Sequence, residues 1–284
     1  MKYLLIPVAI LLFGLNFFNY NINEEDSAYL IRENYDPALI RLNSLDKLEA
    51  YADSLTLEKN ILPGSLEYAI IAEDIVGRRF YHKYATQDIN ENFIASAAQK
   101  ITGLYISSKI TADDILTKSY GYCGQQNTVL MELLLRKKHN YRVVYFPHHF
   151  AIESFINGHW YYFDANIEHD ILTYQRADEL LLNNQDSFAL SYHKTVNEMT
   201  QVIGKSVDYR LGKINETQGA NAQLFQTVTK LLSRGAFLFP LCWFLYLFVG
   251  ANNKKVKDLS NQKKWLSQLN QATMWSNLKH LKIT

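Results

Sequence analysis

Cys123 opens the segment Gly121-Tyr-Cys-Gly-Gln-Gln-Asn-Thr-Val-Leu-Met-Glu-Leu-Leu-Leu-Arg-Lys-Lys138, whose apolar spacing predicts a helix. A thiol at a helix N-terminus feels the positive end of the macrodipole, which favours the thiolate and so makes a nucleophile. The plainer alternative is a buried free cysteine that packs as a small hydrophobe. The downstream sequence turns the balance toward chemistry, because a histidine and an acid, His149 and Asp164, stand in the next predicted elements. A thiol, an imidazole and a carboxylate are the parts of an activated nucleophile. The ring takes the thiol proton, and the acid orients the ring and stabilises its charge.

The positioning elements can be worked out from the pattern. Tyr141–Phe146 (YRVVYF) is β-branched and aromatic and predicts a strand, which Pro147 interrupts. His148–Ile156 predicts a second strand and His159–Asp164 a third, joined by Asn157-Gly158, the strongest two-residue hairpin signal. Such a turn places Phe155 opposite Trp160, Glu153 opposite Tyr162 and Ala151 opposite Asp164. His149 and Asp164 then share a face as diagonal neighbours, ~7–8 Å apart at the backbone and within reach of long side chains. His148 projects to the other face. The register depends on the Asn-Gly turn, since a loop of odd length would undo it.

In GYCGQQNTVLMELLLRKK (Gly121–Lys138), in the H-x-A-x-E of His149, Ala151 and Glu153, and in NGHWYYFDAN (Asn157–Asn166), the chain resembles the transglutaminase-like superfamily of papain-fold cysteine enzymes. The resemblance covers residues 111–166. It implies an α+β domain with the cysteine helix packed on a small antiparallel sheet, Cys123 as nucleophile, His149 as base, Asp164 as the third member and Trp160 as a packing residue. It implies a peptide or protein amide as substrate and no cofactor. It does not separate hydrolysis from transfer to an amine, since the superfamily holds peptidases, amidases, acyl transferases and members with no known activity. Two departures stand out. Relatives often carry a Gln or Trp upstream of the cysteine as an oxyanion donor, whereas here Tyr105, Lys118 and Tyr120 are the polar alternatives, with Gln99 further back and the Cys123 N–H as one backbone donor. Ala151 replaces a frequent aromatic, which predicts a site either more open or differently packed.

Two runs are unlike soluble-domain sequence: Tyr3–Phe18 and Gly235–Ala251, each ~24–25 Å long as a helix, near the lower limit for a span. The first lacks a small-x-small cleavage site and reads as an uncleaved anchor. Cys242 lies within the second and reads as passive. Lys254, Lys255, Lys257, Lys263, Lys264, Lys279 and Lys282 follow the second run against a single acid, Asp258. Positive-inside reasoning puts both termini in the cytoplasm and the intervening ectodomain outside it, periplasmic or extracellular. One cysteine there allows no internal disulfide, so stability must come from a core.

The expected organisation is a signal anchor at 1–20, a helical N-terminal part of the ectodomain at 21–110, the catalytic core at 111–170, a C-terminal part at 171–234, a span at 235–251 and a basic tail at 252–284. Ser65 is placed to cap a helix over Leu66–Tyr84, Thr86–Thr102 predicts another, and Ile110–Leu116 a capped turn. Ile171–Leu182 contains a short acidic helical pattern, and Leu224–Leu232 reads as helical. The tail from Trp265 to Leu281 is helical in pattern, suited to an anionic leaflet or to a partner. Nothing accompanies its lysines that signals nucleic acid. His148, His149, His159 and His169 are numerous enough to suggest metal, but their spacing offers no convergent ligand set, and no metal is expected. The competing readings are a non-catalytic binding or scaffold module of an envelope assembly, and a purely structural thiol.

Overall fold

The computed structural model describes residues 2–22, 35–166, 186, 189, 195–203, 209–216 and 219–280, with side chains to 266. In chain order its helices are α1 (Leu5–Leu15), α2 (Leu45–Glu58), α3 (Leu66–Arg79), α4 (Ile89–Thr102), α5 (Ala112–Leu116), α6 (Cys123–Arg136), α7 (Val196–Ile203), α8 (Ala220–Gly235) and α9 (Leu238–His280). Its strands are β1 (Asn140–Tyr145), β2 (Phe150–Ile156), β3 (His159–Phe163) and β4 (Arg210–Leu211). The architecture is α+β, mostly helical with one antiparallel sheet in the order β3-β2-β1-β4. By its contacts the chain divides into two units, Tyr20–Lys230 and Met1–Asn19 with Leu231–Thr284.

In the larger unit, helix starts follow their caps. Ser44, Ser65 and Thr111 accept from the backbone N–H groups of Lys47, Tyr68 and Asp114. Two expected boundaries move. The helix from Ser65 stops at Arg79, short of Tyr84, because Phe80 turns extended and Tyr81 bridges to Tyr120. The next helix starts at Ile89 rather than Thr86, which is paired with Ser108, and a capping box of Asp88 and Glu91 sets its first turn. The acidic pattern at 171–182 lies outside the described residues.

The hairpin register is the expected one. Ile152 faces Phe163, Glu153 faces Tyr162 and Phe155 faces Trp160. Asn157 and Gly158 both have positive φ, 51° and 88°, as their turn requires. Alternation then divides the sheet's residues between two cores. Val143, Ile152 and Phe163 join Leu48, Val76, Leu130 and Leu134 of α2, α3 and α6, while Val144, Ala151 and Tyr162 pack with Phe146 and with Met199 of α7. The strand β1 partner Arg142 sits opposite Glu153, bonds it at 2.6 Å and lies over the Trp160 ring at 4.2 Å. Trp160 is therefore a packing residue, held by a cation–π contact and by Phe155.

Arg79, the last residue of α3, is fully buried. Its guanidinium donates to the carbonyls of Ile40, Leu42, Leu116 and Lys118, at 2.8–3.3 Å. Burial lowers its pKa to about 10, and five donors in a fixed fork let one side chain satisfy carbonyls on two separate segments. One of these segments leads directly into Cys123.

In the smaller unit, α1 packs on α9, with the Phe13 ring 5.1 Å from that of Phe237. The expectation of two separate spanning helices is not met in that form. Helix α1 has 11 residues and ends near Asn16, and among the described residues no single helix is long and apolar enough to cross a membrane. By length and composition α8 and α9 meet that requirement only as a pair. The backbone of α9 runs unbroken from the apolar run into the basic tail.

Replacing Arg79 with Met should leave four carbonyls, two of them buried, without their donor. At about 1–3 kcal/mol for an unsatisfied group, partly relieved by water, the expected loss is on the order of 3 kcal/mol. Urea unfolding followed by far-UV circular dichroism reads it; a loss under about 1 kcal/mol would mean that solvent replaces the guanidinium.

Candidate active site

Cys123 is the first residue of α6, where N–H groups lack intrahelical acceptors, and it is 9% exposed. His149 closes the short β1–β2 connection: its carbonyl accepts from Phe146 N–H at 2.9 Å, and its ring lies near the Phe146 ring. Asp164 follows the last residue of β3. The three residues meet. His149 Nε2 is 2.5 Å from Asp164 Oδ2, and the Cys123 thiol is a hydrogen-bond partner of the same ring. His148, by contrast, is exposed.

The electrostatics follow from this placement. Burial disfavours a charged imidazole. The adjacent Asp164 charge and hydrogen bond, together with Cys123, outweigh it and raise the His149 pKa to about 10. The ring is thus held as an imidazolium between an acid and a sulfur.

Beyond the trio, several residues hold it in place, and of these only Tyr105 was singled out in the sequence as part of a site. Asn127, one turn after Cys123, donates to Cys123 O at 3.1 Å, Phe150 O at 2.8 Å and Asp164 Oδ1 at 3.3 Å, and accepts from Ala165 N–H at 3.2 Å. Glu73 Oε1 accepts from Asp164 N–H at 2.5 Å. Gly77, four residues along the same face of α3, lets the ribbon approach: a Cβ there would stand 3.1 Å from Ala165 O. Tyr84 interacts electrostatically with Cys123, as does Tyr122, and the two hydroxyls are hydrogen-bonded to each other. Their rings stack at 4.0 Å, and Tyr105 stacks on the far side of Tyr84 at 4.2 Å. Burial keeps both phenols above their usual range and therefore protonated. The Tyr122 ring folds over Gly124, whose absent Cβ would meet its hydroxyl at 3.0 Å.

The oxyanion candidates taken from the sequence are differently employed. Lys118 Nζ is bound to both Asp88 oxygens at 2.7 Å, and Gln99 Oε1 accepts from the Ser107 N–H and hydroxyl. Tyr120 packs on Tyr81. Tyr84 and Tyr122 are the protonated donors within electrostatic reach of the thiol. Ala151 is fully buried, so its small side chain reflects different packing rather than an open site. Among the histidines weighed as ligands, His159 is exposed, His149 is engaged with Asp164, and His169 lies outside the described residues.

Two outcomes are expected. The His149 pKa is raised on folding, so its contribution to stability is full below about pH 6.5 and is lost as pH climbs through about 10. Melting temperature should fall across that window in the wild type and fall less in His149→Gln; parallel profiles would place the imidazolium elsewhere. Glu73→Ala should loosen Asp164 and flatten the same profile, whereas Glu73→Gln keeps an acceptor for the Asp164 N–H and should restore it.

Comparison with protein-family models, with curated proteins and with solved structures found no match to this chain.

Proposed function

We propose that the chain is a membrane-anchored, transglutaminase-like thiol enzyme that cleaves or exchanges amide bonds. The observation that carries this reading is the convergence of Cys123 and Asp164 on the one buried imidazole of His149. In the reaction, Cys123 sulfur attacks the carbonyl carbon of a peptide or protein amide. The C–N bond breaks, the leaving amine takes its proton from the His149 imidazolium, and a thioester remains. Water or a second amine, deprotonated by His149, then attacks the thioester and returns the thiol. Asp164 stays ionised throughout and fixes the ring. The Cys123 N–H and a hydroxyl of the Tyr84–Tyr122 pair are the donors assigned to the oxyanion in this reading, a role in which one donor contributes ~10²–10³ in rate. Attachment through the apolar runs at 3–18 and 235–251, with residues 19–234 outside the cytoplasm and both termini within it, completes the reading.

A second reading, a binding or scaffold module on the same fold, is favoured by one observation: the nucleophile is almost covered. Acylation by a p-nitrophenyl ester, a probe that needs no natural substrate, separates the two. The full chain should give a burst of nitrophenolate that Cys123→Ala abolishes and that persists well below the ~8.5 of an ordinary thiol. His149→Ala should remove the low-pH limb, and Tyr84→Phe should slow the burst by about 10²-fold. A burst that tracks an ordinary thiol and ignores His149 selects the binding module; no acylation without denaturant leaves Cys123 a structural thiol.

A further inference from the structure

Helix α8 is amphipathic, but it is docked the wrong way round for a soluble protein. Gln226 and Thr229 point into the domain, 4% and 6% exposed. Gln226 Oε1 accepts from Gln87 Nε2 at 2.6 Å, and Gln226 Nε2 donates to Ser108 O. Asn92 Nδ2 donates to Thr229 Oγ1 at 2.8 Å, and Lys230 Nζ is 2.6 Å from Asp114 Oδ2. Opposite this polar face, Leu224, Val228 and Leu231 succeed one another at four- and three-residue spacing, with Phe225 and Leu232 beside them, and all five are exposed, Leu231 to 73%. An apolar strip that long on the outside of a helix marks a surface meant for something other than water.

We propose that this strip lies in the bilayer surface, with α8 parallel to the membrane at the boundary of headgroups and acyl chains. Three observations select lipid as the occupant. Two residues after α8 the chain enters α9 with Leu-Phe-Pro-Leu-Cys-Trp-Phe-Leu-Tyr-Leu-Phe-Val, an apolar run whose Leu238, Phe239, Trp243 and Tyr246 are exposed. Neither helix alone has the length and composition of a span, whereas the two together do. The polar face of α8 is hydrogen-bonded to the domain, so α8 cannot be sunk through the hydrocarbon without stripping those bonds or dragging the domain after it. A helix with an apolar face outward, a protein-bound face inward and exposed Arg234 at its end fits the interface plane. This surface is independent of the thiol chemistry and rests only on the membrane attachment proposed above.

The test places a bimane fluorophore on single cysteines introduced at Val228 and at Leu232, with Glu58→Cys as a solvent-exposed control, in the full chain carrying Cys123→Ser and Cys242→Ser. The protein is reconstituted in vesicles of phosphatidylcholine and phosphatidylglycerol that contain lipids brominated at different depths. Both α8 probes should emit to the blue of the Glu58 probe and lose several-fold in intensity with bromine near the headgroup end of the acyl chain, and less with bromine near its methyl end. Strongest quenching at the bilayer centre overturns the proposal, because α8 would then be part of a span. Probes unquenched in a chain that remains with the vesicles also overturn it. In that case a disulfide-linked dimer formed by the unlabelled Val228→Cys chain identifies a second copy as the true occupant. A chain that fails to partition with vesicles at all defeats the membrane attachment itself, and this surface with it. Far-UV circular dichroism of each cysteine variant, unchanged from wild type, ties these readings to the folded chain.

Discussion

One side-chain amide joins every part of the candidate site. Asn127 lies one helical turn beyond Cys123, on the same face of α6, and bonds the carbonyl of Cys123, the carbonyl of the residue after His149, the carboxylate of Asp164 and the N–H of the residue after Asp164. Each of the three candidate catalytic residues is thereby tied, directly or through its neighbour, to the same two atoms of one side chain. The cluster is buried, where water cannot substitute for a missing partner and each bond is stronger than it would be at the surface. Geometry of this kind matters beyond stability. A displacement of ~1 Å between nucleophile and base can cost about 10²-fold in rate, and the amide is what resists such a slip between helix and ribbon.

The ribbon and the thiol helix were legible because they are local. Asn-Gly sets its own turn, period-2 alternation sets the faces, and the choice of His149 over His148 follows from register alone, as the exposure of His148 and the His149–Asp164 contact bear out. The supporting residues were not legible because their partners are distant in sequence. Nothing in the stretch around Glu73 signals that its carboxylate receives the N–H of Asp164, and Gly77 reads as an ordinary mid-helix glycine until Ala165 is set against it. Tyr84 was absorbed into a helix that in fact ends five residues earlier. Apolar periodicity continues past Arg79, but the buried guanidinium fixes the chain there and releases it extended, which brings Tyr84 beside the thiol.

Helix α8 illustrates a different limit. Its periodicity was readable over Leu224–Leu232, but periodicity reports only that a helix has two unlike faces. Which face meets the protein depends on what the protein offers, and here the offered surface is itself polar: Gln87, Asn92, Ser108 O and Asp114. Polar groups bound to a partner lose little on burial, while the same groups facing hydrocarbon would lose several kcal/mol each, on the order expected for an unpaired amide. In the bilayer placement proposed for α8, a helix is therefore most stable with its apolar face outward, the reverse of the soluble rule.

The two regions are joined by hydrogen bonds. Gln125, two residues after Cys123, accepts from the Ala85 N–H at 2.9 Å and donates to the carbonyls of Ala85 and Lys109 at 2.7 Å. Close by in those same segments, Gln87 and Ser108 are the residues that bind Gln226 of α8. The segments that frame the start of the thiol helix are thus the segments on which α8 is seated. Lifting α8 would leave the Ser108 carbonyl and the Gln87 amide buried without those partners, at about 1–3 kcal/mol for each group, against a total stability of ~5–15 kcal/mol for a typical domain. Seating the helix and holding Gln125 at the start of the thiol helix are consequently demands on the same two segments.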